Sequence, residues 1–147
     1  QYLMEHYQEF DMIWASPPCQ SHSGMRQHLQ VGCRGQQAIF PDMKLYQEII
    51  FLQYNFKGLY VVENVKPYYT PLIEPDFILQ RHYYWSNIEV PSMNAPKHKL
   101  RSAQIPELQE YLGIDLTNYK VPNKRQVLRN CVHPNIGKHI IDSIDEL

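Results

Sequence analysis

Two short apolar segments separated by a helical pattern constrain the fold of this 147-residue chain more than any other feature. Residues 9–16 and 59–64 have the length and apolar character of buried strands. The first ends at a Ser-Pro-Pro turn, because proline cannot continue a central strand. Residues 41–56 carry the i, i+4, i+7 stripe of one helix face, formed by Leu45, Ile49 and Leu52. A strand–helix–strand order predicts a βαβ unit with parallel strands, so the expected class is α/β.

The rest of the chain reads as the later part of an open α/β sheet. Residues 17–40, rich in Gln, Gly, Ser and His, are expected to form a long loop, which in a compact domain is usually functional or disordered. Residues 81–87 are aromatic enough for another strand. Helices are predicted at residues 107–112, 124–131 and 134–144. We expect a single domain over residues 1–147, with a reduced target-recognition insert at residues 88–122.

Charge is divided unevenly along the chain. The net charge is −1, but residues 1–80 carry −3 and residues 97–138 carry +5. A local basic region is what phosphate contact requires, and a solvated basic face is the plain alternative. No apolar run is long enough to cross a membrane. The three cysteines, Cys19, Cys33 and Cys131, lie far apart, so we expect free thiols and a cytoplasmic protein.

Reactive side chains follow both strands of the predicted βαβ unit. Cys19 comes directly after the first strand, and Glu63 and Asn64 end the second. Parallel strands bring their carboxyl ends to one edge of a sheet, where sites in open α/β sheets form. A thiolate can add to C6 of a pyrimidine when a carboxyl group at N3 neutralises the developing charge. Singly, a packed cysteine and a solvated glutamate would be the ordinary interpretations.

At these residues the chain resembles a known family. Residues 17–20 (Pro-Pro-Cys-Gln) and 63–65 (Glu-Asn-Val) look like the two signature motifs of the cytosine-5 DNA methyltransferases. The resemblance implies a partial Rossmann-like methyltransferase sheet and DNA methylation, as in restriction–modification systems. It implies Cys19 as the nucleophile at C6, Glu63 as the partner of N3, and Asn64 as a brace. Residues 20–37 would close over a cytosine flipped out of duplex DNA.

Residues 80–85 are similar to the family's Gln-x-Arg-x-Arg strand. The resemblance implies that Arg81 contacts O2 of the base and helps to hold the cysteine region. The match is imperfect, since strict spacing from Gln80 puts His82 and Tyr84 at the two arginine positions.

Residues 128–132 look like the family's late Asn-x-Val motif, which returns to the cofactor pocket. The resemblance therefore implies Pro18, Asn130 and Val132 as contacts to S-adenosylmethionine. For Asn130 and Val132, helix capping and core packing are equally good interpretations.

One family feature has no counterpart in this sequence. Family members begin with a Gly-rich loop that cradles S-adenosylmethionine, whereas no glycine precedes Gly24 here. We therefore expect weak cofactor binding by this polypeptide alone, with a missing N-terminal part or a second polypeptide supplying the loop.

Several other functions remain open. An inactive or split DNA-binding module of the same fold would explain the absent Gly-rich loop. A tRNA cytosine-5 methyltransferase would share both signature motifs. A thymidylate synthase fits less well, because Gln20 stands where that family has histidine. The Cys and His residues lack zinc-like spacing, so no metal site is expected.

Overall fold

The computed structural model describes residues 2–31, 37–95 and 102–144. The chain divides into two compact units, Gln1–Glu89 and Val90–Leu147. Each unit has a hydrophobic cluster of its own. The first unit contains a mixed four-stranded sheet, and the second contains helices. The expected α/β class is thus confirmed at the level of a mixed sheet with flanking helices.

The first unit begins with a short helix and a 3-10 turn that the sequence analysis did not predict. In chain order the elements are α1 (Tyr2–His6), the 3-10 turn (Tyr7–Glu9), β1 (Met12–Ala15), α2 (Gly24–Val31), α3 (Lys44–Asn55), β2 (Leu59–Val65), β3 (Phe77–Leu79) and β4 (His82–Ser86). The sheet of this unit has the strand order β1-β2-β4-β3.

The predicted βαβ unit is present. Strands β1 and β2 are parallel and neighbouring, with Ala15 opposite Val62. The apolar stripe of α3 packs with side chains from one face of the sheet, because those side chains alternate along each strand. The buried members of this cluster are Ile13, Leu45, Tyr46, Ile49, Leu52, Tyr60, Val62, Tyr83 and Trp85.

The backbone around Leu59 lies close to that of Asp11 where β2 begins beside β1. The Leu59 backbone N–H donates to the Asp11 carbonyl at 3.0 Å. A Cβ at Gly58 would lie 2.3 Å from that same carbonyl oxygen, so glycine is required there.

The predicted strand at residues 81–87 is confirmed as β4, and it runs antiparallel to both β2 and β3. Strand β3 was not predicted. The two strands of this hairpin are joined at Gln80, which has a left-handed backbone with φ of 54°. All five residues of β4 are buried.

The prediction of an uninterrupted loop over residues 17–40 was wrong for its middle part. Residues Gly24–Val31 form α2. The Ser23 hydroxyl oxygen accepts a hydrogen bond from the Met25 backbone N–H at 3.3 Å, so a polar side chain satisfies a donor at the start of the helix. The helix is mostly polar and begins with glycine, so the spacing of apolar residues did not predict it.

In the second unit, all three predicted helices are confirmed. They are α4 (Ile105–Leu112), α5 (Lys124–Asn130) and α6 (Pro134–Asp142). Gly113, with φ of 68°, ends α4 in the left-handed conformation that favours glycine. The insert expected at residues 88–122 contains α4, and its role in target recognition stays a prediction. In the parts of the chain described, no helix is long and apolar enough to cross a membrane.

Candidate active site

The chain leaves β1 and β2 at the same edge of the sheet. The parallel pairing ends at Ala15 and Val62, so the Ser-Pro-Pro-Cys turn and the Glu63–Asn64 pair follow side by side. This is the edge at which open α/β sheets carry their sites. The structure therefore brings together the two motifs that lie more than forty residues apart in the sequence.

Asn64 joins the two strand ends directly. Its side-chain nitrogen donates to the Pro17 carbonyl at 3.0 Å, and its side-chain oxygen accepts from the Val65 backbone N–H at 3.0 Å. Asn64 is buried, and both polar ends of its amide group are used. The turn that carries Cys19 is thus fixed to β2.

Cys19 starts a tight turn. Its carbonyl accepts backbone hydrogen bonds from His22 at 3.0 Å and from Ser23 at 3.1 Å. The thiol is half-buried and free. Burial raises the pKa of Cys19, and the Glu63 carboxylate raises it further. A hydrogen bond from the backbone N–H of Cys19 itself and the Arg81 guanidinium act in the opposite direction.

Those electrostatic effects show that Cys19, Glu63 and Arg81 share one neighbourhood, because the interaction of two charges weakens with distance. Burial raises the pKa of Glu63, while a hydrogen bond from Ser16 and the charge of Arg81 lower it. Glu63 is only 8 % exposed. A buried carboxyl with a raised pKa retains a proton more readily than one in water, as a donor to a base nitrogen must.

Arg81 lies in the turn before β4. Its carbonyl accepts a hydrogen bond from the Lys66 backbone N–H at 2.8 Å, which ties the turn to the end of β2. Its positive charge also lowers the pKa of His82 and opposes the raised pKa of Tyr84. Arg81 is therefore the cation of the candidate site, and its contact with a base stays a prediction.

His82 and Tyr84 were not predicted to be site residues, but they lie on the same sheet face as Glu63. Tyr84 is the direct cross-strand partner of Glu63, and His82 lies two residues before it on β4. The His82 Nε2 atom is 3.5 Å from Glu63 Oε1. Among the described residues, His82 Nδ1 and the Tyr84 hydroxyl are buried without a hydrogen-bond partner. The alternation His82-x-Tyr84 was the signal that could have identified them.

The His82–Glu63 contact has the spacing of an ion pair, but burial argues against a charged imidazole. Burial lowers the pKa of His82 to about 4, and Arg81 acts in the same direction. Neutral His82 beside Glu63 is therefore the state expected near pH 7.

The candidate contacts to S-adenosylmethionine lie in both units. Pro18 is exposed in the turn before Cys19. In the second unit, Asn130 is the last residue of α5, and half-buried Val132 lies two residues after it. Their role as cofactor contacts stays a prediction.

The described residues fit S-adenosylmethionine only in part. They supply an exposed turn at Pro18, but no strand in them is followed by a Gly-rich cradle for the cofactor. The strand-end carboxyl, Glu63, is buried beside Ser16 and His82 rather than open to the hydroxyl groups of a ribose. No group of three or more potential metal ligands occurs in the described parts of the chain.

Two basic residues of the second unit have internal contacts. Lys124 Nζ donates to the Leu116 carbonyl at 2.6 Å, and Arg125 Nε donates to the Ala103 carbonyl at 2.9 Å. Lys120 is exposed. The other basic residues expected to contact phosphates, Lys97, Lys99 and Arg101, lie outside the described residues.

Comparisons with family models, with curated proteins and with solved structures found no match to this chain.

Proposed function

We propose that this chain methylates C5 of cytosine in DNA, with Cys19 as the covalent nucleophile and S-adenosylmethionine as the methyl donor. The observation that carries the proposal is the shared neighbourhood of Cys19 and Glu63 at the ends of two parallel strands. The fold that we propose is correspondingly a partial Rossmann-like methyltransferase sheet. A cytoplasmic location belongs to the same proposal.

The first step forms a bond between Cys19 Sγ and C6 of a flipped cytosine. The thiol must first lose its proton, and the nearby Arg81 guanidinium favours the thiolate. As sulfur adds, electron density moves into the ring toward N3. The Glu63 carboxyl donates a proton to N3, so the adduct is neutral.

The adduct makes C5 nucleophilic. S-adenosylmethionine supplies the methyl group when it is bound. Transfer of the C5 proton to a water molecule then restores the C5–C6 double bond, and the Cys19 thiolate leaves C6. The N3 proton returns to the Glu63 carboxylate, which regenerates the site.

The raised pKa values of Cys19 and Glu63 support different parts of this scheme. For Glu63, burial favours the protonated state that a donor to N3 requires. For Cys19, burial and the Glu63 carboxylate favour the resting thiol. Protonation of Glu63 would remove the second of these effects, so proton gain at the carboxyl assists proton loss at the thiol.

DNA is the proposed polymer, because residues 17–20 and 63–65 resemble the motifs of DNA methyltransferases, and the net charge of +5 over residues 97–138 suits contact with phosphates. The test incubates the chain with unmethylated duplex DNA of mixed sequence. The methyl-labelled S-adenosylmethionine is supplied at a high concentration, since weak cofactor binding is expected without a Gly-rich loop. Unmodified tRNA transcripts form the second arm. The matched variants are Cys19→Ser and Cys131→Ser, since Cys131 is also half-buried.

We expect label in 5-methylcytosine of DNA with the wild type and with Cys131→Ser, and none with Cys19→Ser. Label in tRNA alone would replace DNA with tRNA as the substrate. DNA binding without transfer and without a covalent adduct would overturn the proposal in favour of a binding module.

A further inference from the structure

His22 is buried although it lies only three residues after Cys19. It is 1 % exposed, and it belongs to a segment that the sequence analysis assigned to a loop. Burying a polar ring is unfavourable unless its nitrogen atoms find partners. The partners of His22 therefore indicate what the residue does.

The side chain of His22 ends a chain of three hydrogen bonds. The Leu72 backbone N–H donates to the Tyr46 hydroxyl oxygen at 3.1 Å. The Tyr46 hydroxyl donates to the Tyr69 hydroxyl oxygen at 3.5 Å. The Tyr69 hydroxyl lies 2.5 Å from His22 Nδ1. Of these contacts, the one between Tyr69 and His22 is the shortest, and its donor depends on the tautomer of the His22 ring.

Either neutral tautomer of His22 can form this contact. Nδ1 accepts from the Tyr69 hydroxyl when it is unprotonated and donates to the Tyr69 oxygen when it is protonated. Burial, the largest effect, lowers the pKa of His22, whereas Asp42 acts in the opposite direction. The neutral ring is thus consistent with its surroundings. Nε2 has no hydrogen-bond partner among the described residues.

The backbone of His22 makes two further connections. Its N–H donates to the Cys19 carbonyl at 3.0 Å, which closes the turn that carries the thiol. Its carbonyl accepts from the Tyr68 backbone N–H at 3.1 Å. An isolated bridge between Ser23 and Pro67 lies beside this contact. The Cys19 turn is therefore attached to the segment that follows β2.

We propose that His22 is a positioning residue for Cys19, which holds the nucleophile's turn against α3 and against the segment after β2 through Tyr69 and Tyr46. Tyr46 is buried in the core cluster of α3, so the anchor is rigid. The inference rests on the proposed function only for the identity of the reaction. The position of the thiol can be tested without DNA.

The test measures the rate at which iodoacetamide alkylates Cys19, read by peptide mass mapping, with Cys131 as the reference thiol in each sample. The disruptive variants are His22→Leu and Tyr69→Phe, each of which removes one partner of the contact. The conservative variant is His22→Asn, because its side-chain amide can either accept or donate in place of Nδ1. Tyr54→Phe, at a position 77 % exposed, is the matched tyrosine control.

We expect His22→Leu and Tyr69→Phe to raise the Cys19 rate about tenfold relative to Cys131, because the turn opens and exposes the half-buried thiol. His22→Asn and Tyr54→Phe should remain within about twofold of the wild type. Leu52→Ala opens a cavity in the α3 core but keeps all three side chains His22, Tyr69 and Tyr46, so it separates general destabilisation from loss of the hydrogen bonds. It should also remain near the wild-type ratio under native conditions.

The nitrogen-15 NMR signals of the His22 ring provide a second readout. We expect the Nδ1 signal to move in Tyr69→Phe, which removes its partner, and to stay in place in Tyr54→Phe. An unmoved Nδ1 signal in Tyr69→Phe, or a wild-type alkylation ratio in both disruptive variants, would overturn the inference. If the wild type forms no adduct with DNA, the proposed function fails, but the alkylation result still decides the role of His22.

Discussion

The side-chain amide of Asn64 donates a hydrogen bond to the backbone carbonyl of Pro17 over 3.0 Å. This contact joins the turn that carries the thiol to the strand that carries the carboxyl. The oxygen of the same amide accepts from the Val65 backbone N–H. This position therefore requires a side chain that donates one hydrogen bond and accepts another, which neither Asp nor Leu can do.

Replacing Asn64 should weaken both the fold and the site. Asn64→Ala leaves the part-buried Pro17 carbonyl and Val65 N–H without their partners, so we expect a loss of about 1–3 kcal/mol in the free energy of unfolding. Denaturant unfolding measures this loss. Asn55→Ala is the control, since exposed Asn55 also donates one amide hydrogen bond to a backbone carbonyl, and a change within about 0.5 kcal/mol is expected there. Equal losses in the two variants would contradict a special role for Asn64.

The βαβ unit can be tested through two positions of α3. Leu52 is fully buried in the cluster between α3 and the sheet, whereas Ile50 is 49 % exposed. We expect Leu52→Ala to cost about 2–5 kcal/mol of the free energy of unfolding, because it leaves a cavity. Ile50→Ala should cost less than about 1 kcal/mol. Similar costs would show that the helix does not pack by the face described.

Much of the first unit could be predicted because its signals are local. The apolar segments and the helix stripe at Leu45, Ile49 and Leu52 directly encode burial on one face. Strand β3 could not be found, since three residues are too few to show alternation. The turn at Gln80 has a left-handed backbone without glycine or asparagine, so its sequence gives no turn signal.

Only the site residues that belong to a recognisable sequence motif could be predicted. Cys19 follows β1, and Glu63 and Asn64 lie near the end of β2, so parallel pairing was enough to bring them together. For His82 the only sequence signal was the alternation with Tyr84, and the antiparallel register between β2 and β4 was needed to place it beside Glu63. His22 required long-range contacts with Tyr69, which no sequence pattern near Cys19 indicates.

The acidity of the Cys19 thiol should respond in opposite directions to two substitutions. Burial and the Glu63 carboxylate raise the pKa of Cys19, while Arg81 lowers it. Glu63→Gln should therefore lower that pKa and speed alkylation near pH 8, because more thiolate is present. Arg81→Gln should raise the pKa and slow the reaction. The measurement is the pH profile of the alkylation rate at Cys19, with Cys131 as the internal reference. Shifts in the same direction would contradict the shared neighbourhood.

Neutral His82 makes the stability of the protein depend on pH in a defined window. Burial lowers the pKa of His82 from 6.5 to about 4 in the folded state. As the pH falls, His82 therefore gains its proton in the unfolded chain before it does so in the folded protein. The contribution of neutral His82 to the free energy of unfolding is complete above about pH 6.5 and is lost as the pH approaches 4. His82→Gln removes it.

We accordingly expect the free energy of unfolding to fall more steeply for the wild type than for His82→Gln between pH 6.5 and 4. Denaturant unfolding at closely spaced pH values measures the two slopes. The contribution of His22 is present in both proteins and cancels in the comparison. Parallel curves would show that folding does not lower the pKa of His82, which contradicts a neutral buried ring.

The most direct measurement of the central claim is covalent capture of the thiol by DNA that contains 5-azacytosine. This ring is more electrophilic at C6 than cytosine, so capture does not require methyl transfer or a bound methyl donor. On a denaturing gel we expect an adduct with the wild type and with Cys131→Ser, and none with Cys19→Ser. With Glu63→Gln the adduct should form roughly 100-fold more slowly. Capture that persists in Cys19→Ser, or no capture by the wild type on any duplex, would contradict the account.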